Sequence, residues 1–211
     1  MAERRTRSPE VEIDRVSATI VTWHRYAPEV KADLFSTAVI SGAGAYLIDP
    51  IAIDIQRLRE ALAPAGAAGV VVTNENHRRA AVDVAAAFDV PVYAQAAARN
   101  ALDLPSALDL SDGAEFGPGL TAIAIAGAPA GELAIYAEPE GGSLIIGDAL
   151  INMGSYGFAL LPAKYCSNQK QMRRSLRTLL DYDFERIVFA HGLPVVTDAK
   201  RRLGELLESD A

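Results

Sequence analysis

Residues 70–81 read Val70-Val71-Val72-Thr73-Asn74-Glu75-Asn76-His77-Arg78-Arg79-Ala80-Ala81. Three β-branched residues run into a polar turn, and the turn passes into an alanine-rich stretch of helical character. A short apolar run bounded by turn residues reads as a strand buried on both faces. Such a strand delivers the loop that follows it to the carboxyl edge of an α/β sheet, where open sheets place their sites. That loop carries two asparagines, a glutamate, a histidine and two arginines, so the chemistry of the protein is expected around it.

Outward from this stretch the chain alternates strands and helices. On the amino-terminal side, the run containing Ala18 to Trp23, then Phe35–Ile40 and Ala45–Ile48, read as strands. The last two are joined across Ser41-Gly42-Ala43-Gly44, a hairpin signal because glycine supplies the positive φ of a tight turn. Residues 53–63 have helical spacing and stop before Pro64. On the carboxyl side the spacing predicts a helix over 78–88, a short strand at 91–94 and a helix over 95–102. After the Asp112-Gly113 turn, strands are expected at 120–125, 132–137 and 143–146. The stretch 147–164 reads as a loop that is not regular throughout. Residues 168–180 form a helix with Lys170, Arg173, Arg174 and Arg177 on a solvated face. A last strand at 186–189 and a helix at 197–207 close the chain. Strands followed by helix-linked strands, given twice, imply two sheets sandwiched between helices, in one domain over 11–211 behind a flexible tail at 1–10.

Composition narrows the function. The chain has 211 residues, half of them apolar, and a net charge of -7. That acidic balance argues against nucleic acid as a partner, because phosphate neutralisation needs clustered Lys and Arg. Nothing resembles a membrane span or a signal peptide, so no membrane association and a cytoplasmic location are expected. The single cysteine, Cys166, excludes an internal disulfide and a cysteine-rich zinc module.

Over residues 35–207 the ordered motifs resemble the metallo-β-lactamase superfamily. Thr73 and the loop after it stand where that family has Thr followed by His-x-His-x-Asp-His. Residues 45–50, Ala-Tyr-Leu-Ile-Asp-Pro, look like its strand ending in Ile-Asp-Thr-Gly. Residues 143–148, ending in Gly147-Asp148, look like its Phe-x-Gly-Asp strand, whose Asp bridges two metals. Residues 190–194, Ala-His-Gly-Leu-Pro, match its Gly-His-Gly-x-Pro, whose His is a ligand of the second metal. The resemblance implies an αββα sandwich of two mixed β-sheets flanked by helices.

The same alignment implies a degenerate metal site. Asn74, Asn76 and Ala128 stand in the first metal's three His positions, leaving it no protein donor. Arg78, Arg79, Asp148 and His191 stand in the second metal's positions, which leaves two donors beside two cations without a lone pair to offer. The Asp that steers the nucleophilic water corresponds to Arg78. Dinuclear hydrolysis is therefore expected to be lost and no cofactor is expected. The alternative is one zinc, iron or manganese ion on Asp148 and His191, with His77 or Glu75 as a further donor after a register shift. Otherwise His77 is a surface histidine at a helix start, and His24 beside Trp23 a packed structural one.

Three functions follow from these readings. The first is binding of a small, anionic ligand, or regulation, through Arg78, Arg79, Asn74, Asn76 and His77, with Arg78 or Arg79 hydrogen-bonded to Asp148. The second is a hydrolase with an unorthodox mononuclear site, in which Asp148 and His191 are the catalytic candidates. The third is an interaction or assembly protein that keeps the fold for its surface. Tyr156, Phe158 and Tyr165 border the site-side loop as possible pocket walls. Neither the ligand nor the oligomeric state is legible.

Overall fold

The computed structural model describes residues 10–42, 44–153 and 157–209. The expected tail at 1–10 therefore lies outside the described residues except for Glu10, and Tyr156 lies outside them too.

The chain opens with β1 (Glu12–Arg15), β2 (Ile20–Ala27), β3 (Ala32–Ser41) and β4 (Gly44–Ile48), an antiparallel meander. The hairpin read at 41–44 is present, with Ser41 opposite Gly44. Helix α1 (Ile55–Leu62), capped by the Asp54 side chain on the Arg57 amide, leads to β5 (Gly66–Val72), which lies parallel to β4. Then come α2 (Ala81–Phe88), β6 (Val92–Ala94), α3 (Ala96–Ala101) and β7 (Leu108–Asp109), completing a seven-stranded mixed sheet ordered β1 to β7.

The second sheet is built from β8 (Glu115–Gly117), β9 (Leu120–Ala124), β10 (Leu133–Ala137) and β11 (Ser143–Ile146). After β12 (Leu150–Met153), β13 (Gly157–Leu160) and α4 (Gln169–Thr178), β14 (Arg186–Phe189) joins it parallel to β11, and α5 (Ala199–Ser209) ends the chain. The strand order is β14-β11-β10-β9-β8. The stretch read as a loop at 147–164 holds the β12–β13 pair, a two-stranded ribbon with Asn152 opposite Phe158.

Successive side chains of a strand point to opposite faces, and the inner strands are buried on both, which explains the layers. Along β4, Tyr46 and Ile48, with Val71 of β5, face the other sheet, where they meet Leu133, Ile135, Ile145 and Val188. Ala45 and Leu47 face the opposite way, with Val70 and Val72, against Leu58 and Leu62 of α1 and Val84 of α2. The outer face of the second sheet packs Leu144, Ile146 and Phe189 on Met172 and Leu176 of α4 and Leu203 of α5. The result is the αββα sandwich. Of the basic face of α4, Arg173 and Arg177 donate to the carbonyl of Leu207, so both tie α4 to the last turn of α5. No helix among the described residues is long and apolar enough to cross a membrane.

The topology matters because it brings distant chain ends together. Strands β4 and β5 run parallel, as do β11 and β14, and their carboxyl ends lie on the same edge of the sandwich. The residues leaving those ends are Asp49, Thr73, Asp148 and His191.

Candidate functional site

Helix α2 begins at Ala81, not at Arg78, and that difference builds the site. Residues 74–80 form a turn, in which the Asn74 side-chain oxygen accepts from the Asn76 amide at 2.8 Å. Arg79 has φ 37°, a left-handed conformation that no helix residue adopts. Asp49, at the end of β4, is left-handed as well, at φ 49°. Such backbone conformations cost about 1–3 kcal/mol each and cluster at sites that the surroundings over-determine. Here they turn Asp49 and Arg79 inward toward one another.

The turn also turns His77 inward. It is 2% exposed, so the reading of a surface histidine is overturned. Its Nδ1 lies 2.8 Å from Asp49 Oδ2 and its Nε2 lies 3.1 Å from Asp148 Oδ1. Asp49 is fixed in turn by the Thr73 amide and hydroxyl, at 2.8 and 2.6 Å. His191 brings its Nε2 to 3.2 Å from the same Asp148 oxygen. The ligand atoms of His77, Asp148 and His191 all lie within 4.8 Å of one another. His191 Nδ1 is buried and has no hydrogen-bond partner among the described residues.

The two arginines separate. Arg79 turns in, but its Nη1 donates to the carbonyls of Phe35 and Asp49, at 2.6 and 3.0 Å, and its Nη2 stands 3.2 Å from His77 Nε2. Arg78 is exposed and donates to the carbonyl of Leu102 at 3.0 Å. The expected arginine–Asp148 hydrogen bond is therefore replaced by His77 and by Asn76, whose amide donates to Asp148 Oδ2 at 3.1 Å. The reason is reach: backbone carbonyls take up the Arg79 fork before it can extend to the carboxylate. Arg78→Ala should change stability by less than about 0.5 kcal/mol, as an exposed side chain with one backbone bond does. A loss above about 2 kcal/mol in urea unfolding would show that the Leu102 contact holds the loop.

Other candidates also find places. Asn74 is buried and donates to Glu132 Oε2 at 2.6 Å, while Glu75 turns away to accept the Ala130 amide at 3.0 Å, so neither is a free donor. Ala128 is part of the apolar core beneath α4. His24 stacks on Phe35 with ring centroids 4.4 Å apart, a packing role as read. Phe158 packs on Phe189 in the core, and only Tyr165 of the described aromatic candidates lines the cavity.

Three members of the cluster, Asp49, Thr73 and Glu132, carried no assigned role in the sequence. Glu132 is 3% exposed, and its Oε1 accepts the amides of Asp148 and Ala149 at 2.7 and 2.9 Å. A single carboxylate opening the otherwise apolar β10 was the available signal for it. The packing requires Gly147, because a Cβ there would stand 2.5 Å from Thr73 Oγ1 and 2.8 Å from Glu132 Oε1.

The electrostatics follow from burial and charge pairing. Burial and then Arg79 push the His77 pKa down, but Asp49 and Asp148 outweigh them and raise it to about 9. Burial would raise both aspartates; His77 holds Asp49 below the usual carboxylate range, and His77 with His191 holds Asp148 well below it. Near neutral pH a protonated His77 and Arg79 thus balance two ionised aspartates. Burial, and next the charge of Asp148, raise Glu132 to about 8.

Residues 15–210 match the family model described as the metallo-beta-lactamase superfamily. The chain belongs to that superfamily. No curated protein gives a significant match to it. Among solved structures it is similar to the DIM-1 metallo-beta-lactamase, with 16% identity over 96% of this chain and 99% of that one and a TM-score of 0.76. It is also similar to a metallo-beta-lactamase from Erythrobacter litoralis, with 15% identity over 95% and 97% of the two chains and a TM-score of 0.73. A third, from Pontibacter korlensis, has 15% identity over 94% and 99% and a TM-score of 0.73. At such identities the likeness is one of fold.

The superfamily's two metals fare differently against these residues. The first does not fit, since Asn74 is committed to Glu132, Ala128 has no donor and Asn76 binds Asp148 through its amide. For the second, His77, Asp148 and His191 form a group whose ligand atoms could hold one ion.

Proposed function

We propose that the protein is a hydrolase built around one divalent cation held by His77 Nε2, Asp148 Oδ1 and His191 Nε2. The observation that carries this reading is the convergence of those three atoms within 4.8 Å of one another, beside an open cavity that Asp148 and His191 line. Two atoms bound to one ion at about 2.0–2.1 Å and at a tetrahedral angle are roughly 3.3 Å apart. The separations of 3.1 and 3.2 Å to Asp148 suit that spacing as well as they suit hydrogen bonds. Two imidazoles and one carboxylate suit zinc, iron(II) or manganese.

The surrounding residues act as orienting partners. Asp49 holds His77 Nδ1 and leaves Nε2 facing the site, the carboxylate–histidine arrangement that fixes metal ligands. Asn76 occupies Asp148 Oδ2 and leaves Oδ1 toward the histidines. Glu132 anchors the backbone that carries Asp148. A bound cation supplies a Lewis acid for a carbonyl oxygen and lowers the pKa of a water molecule. With Arg78 pointing out, no carboxylate stands in the family's general-base position.

One observation favours a second reading, a metal-free binding protein: Arg79 Nη2 lies 3.2 Å from His77 Nε2, so a fixed cation competes for the same ground. Elemental analysis of protein purified without chelator, from medium supplemented with zinc, iron and manganese, separates the two. About one ion per chain is expected, lost in His77→Ala and His191→Ala and kept in Glu75→Gln. Metal-free wild-type protein that also fails to take up any of the three ions at millimolar concentration would leave the binding-protein reading standing.

A further inference from the structure

We propose that the cavity above Asp148 and His191 accepts an electrically neutral substrate with a short apolar acyl chain, and excludes acyl groups that carry a carboxylate or phosphate. Turnover in this proposal rests on the one-cation hydrolase reading; the binding preference rests on the cavity alone.

The cavity measures about 270 Å³, below the range of about 300–1,000 Å³ that holds drug-sized ligands. Its floor is Asp148, His191 and Asn76, and its walls include Val30, Ile151, Leu161 and Tyr165. Val30 and Tyr165 are both 57% exposed, so apolar surface continues out to the mouth. No lysine or arginine is among its described lining residues. The cations that alignment puts in this region are placed elsewhere: Arg78 on Leu102, and Arg79 in a separate depression with Arg25 and Asp83. Lys164 stacks over the Tyr165 ring at 4.6 Å and does not line the cavity.

Charge pairing then decides selectivity. An acyl chain of methylene groups gains from contact with Leu161, Val30 and Tyr165. A carboxylate set against the same walls gives up part of its hydration and meets no cation among the described lining residues in exchange. The floor offers it no help, because a carboxylate, Asp148, already stands there and the cation position is needed by the reacting carbonyl. In hydrolysis the acyl carbon–oxygen bond breaks, the oxygen of water takes its place, one proton of water ends on the leaving alcohol and the other is released to solvent from the product acid. No redox partner is required.

The test uses two matched pairs of probes on the metal-supplemented full chain. Para-nitrophenyl pentanoate and para-nitrophenyl hemisuccinate differ by a carboxylate in place of an ethyl group, and pentanamide and succinamate repeat that pair without a scissile ester. We expect kcat/KM at least tenfold higher for the pentanoate ester, and pentanamide but not succinamate to shift the Tyr165 ring resonances. Val30→Lys, at an exposed position outside the metal ligands, should narrow the preference at least tenfold by favouring the anionic probe. If neither ester is turned over and no metal is found, yet pentanamide binds in preference to succinamate and Val30→Lys narrows the difference, the cavity assignment stands and the hydrolase reading falls. Equal or better binding or turnover of the anionic probes, or no binding of either amide at tens of millimolar, overturns the proposal.

Discussion

Asp49→Ala is expected to destabilise the protein by about 3–5 kcal/mol, the range for removing one partner of a buried charge pair. The carboxylate is 2% exposed. It accepts from Thr73 twice and faces His77 Nδ1 at 2.8 Å. Without it, His77 and Arg79 remain buried with one aspartate fewer beside them, and the Thr73 hydroxyl loses its acceptor. His77 would then shed its proton, which limits the loss to the lower part of the range. Equilibrium urea unfolding at pH 6, where His77 is charged in the parent, measures the effect. A change below about 1 kcal/mol would mean that Thr73 alone holds the ring and that the pair contributes little.

A second large effect concerns pH. The folded pKa of His77, about 9, lies above its ordinary 6.5. Its pairing therefore stabilises fully below about pH 6.5, and that contribution is lost as pH rises through 9. One pKa unit corresponds to about 1.4 kcal/mol, so roughly 3 kcal/mol of stability should disappear across this window in chelator-treated protein. Glu132, raised from 4.5 to about 8, acts in the same sense, favouring the fold fully below 4.5 and losing that effect through pH 8. Asp49 and Asp148, lowered, act oppositely and lose their contribution only in strong acid. Thermal melts at fixed salt from pH 6 to 9.5 should fall steadily for the metal-free protein. A flat profile contradicts a protonated, doubly paired His77. Added zinc should reverse the slope, because a ligand histidine must give up its proton and higher pH favours that exchange.

Much of the fold was legible in residue order. Val70 to Val72, Ala45 to Ile48 and Ser143 to Ile146 are runs whose burial on both faces is a local property of composition, and the glycine and proline turns between them are local too. The motifs ending in Asp148 and His191 marked the sheet edge on which the site stands. Where local signals are weak the reading stays coarse. Residues 147–164 read as not regular throughout, without the β12–β13 pair inside them, because each strand is four residues long and its partner, not its own pattern, makes it extended.

The sequence by itself determined the sandwich and the placing of Asp148 and His191 after its strands. Only the tertiary structure decided which loop side chains face inward. Matching the loop position by position put Arg78 and Arg79 in the ligand places and His77 between them. The left-handed turn at Arg79 instead sends Arg78 to Leu102, ties Arg79 to Phe35 and Asp49, and delivers His77 to Asp148. A side chain's direction in a turn depends on backbone angles that partners far along the chain select. For Arg79 those partners include carbonyls 44 and 30 residues away, and for Asp148 the Asn76 amide 72 residues away. No local pattern encodes such distances, because the contacts exist only once both sheets have closed.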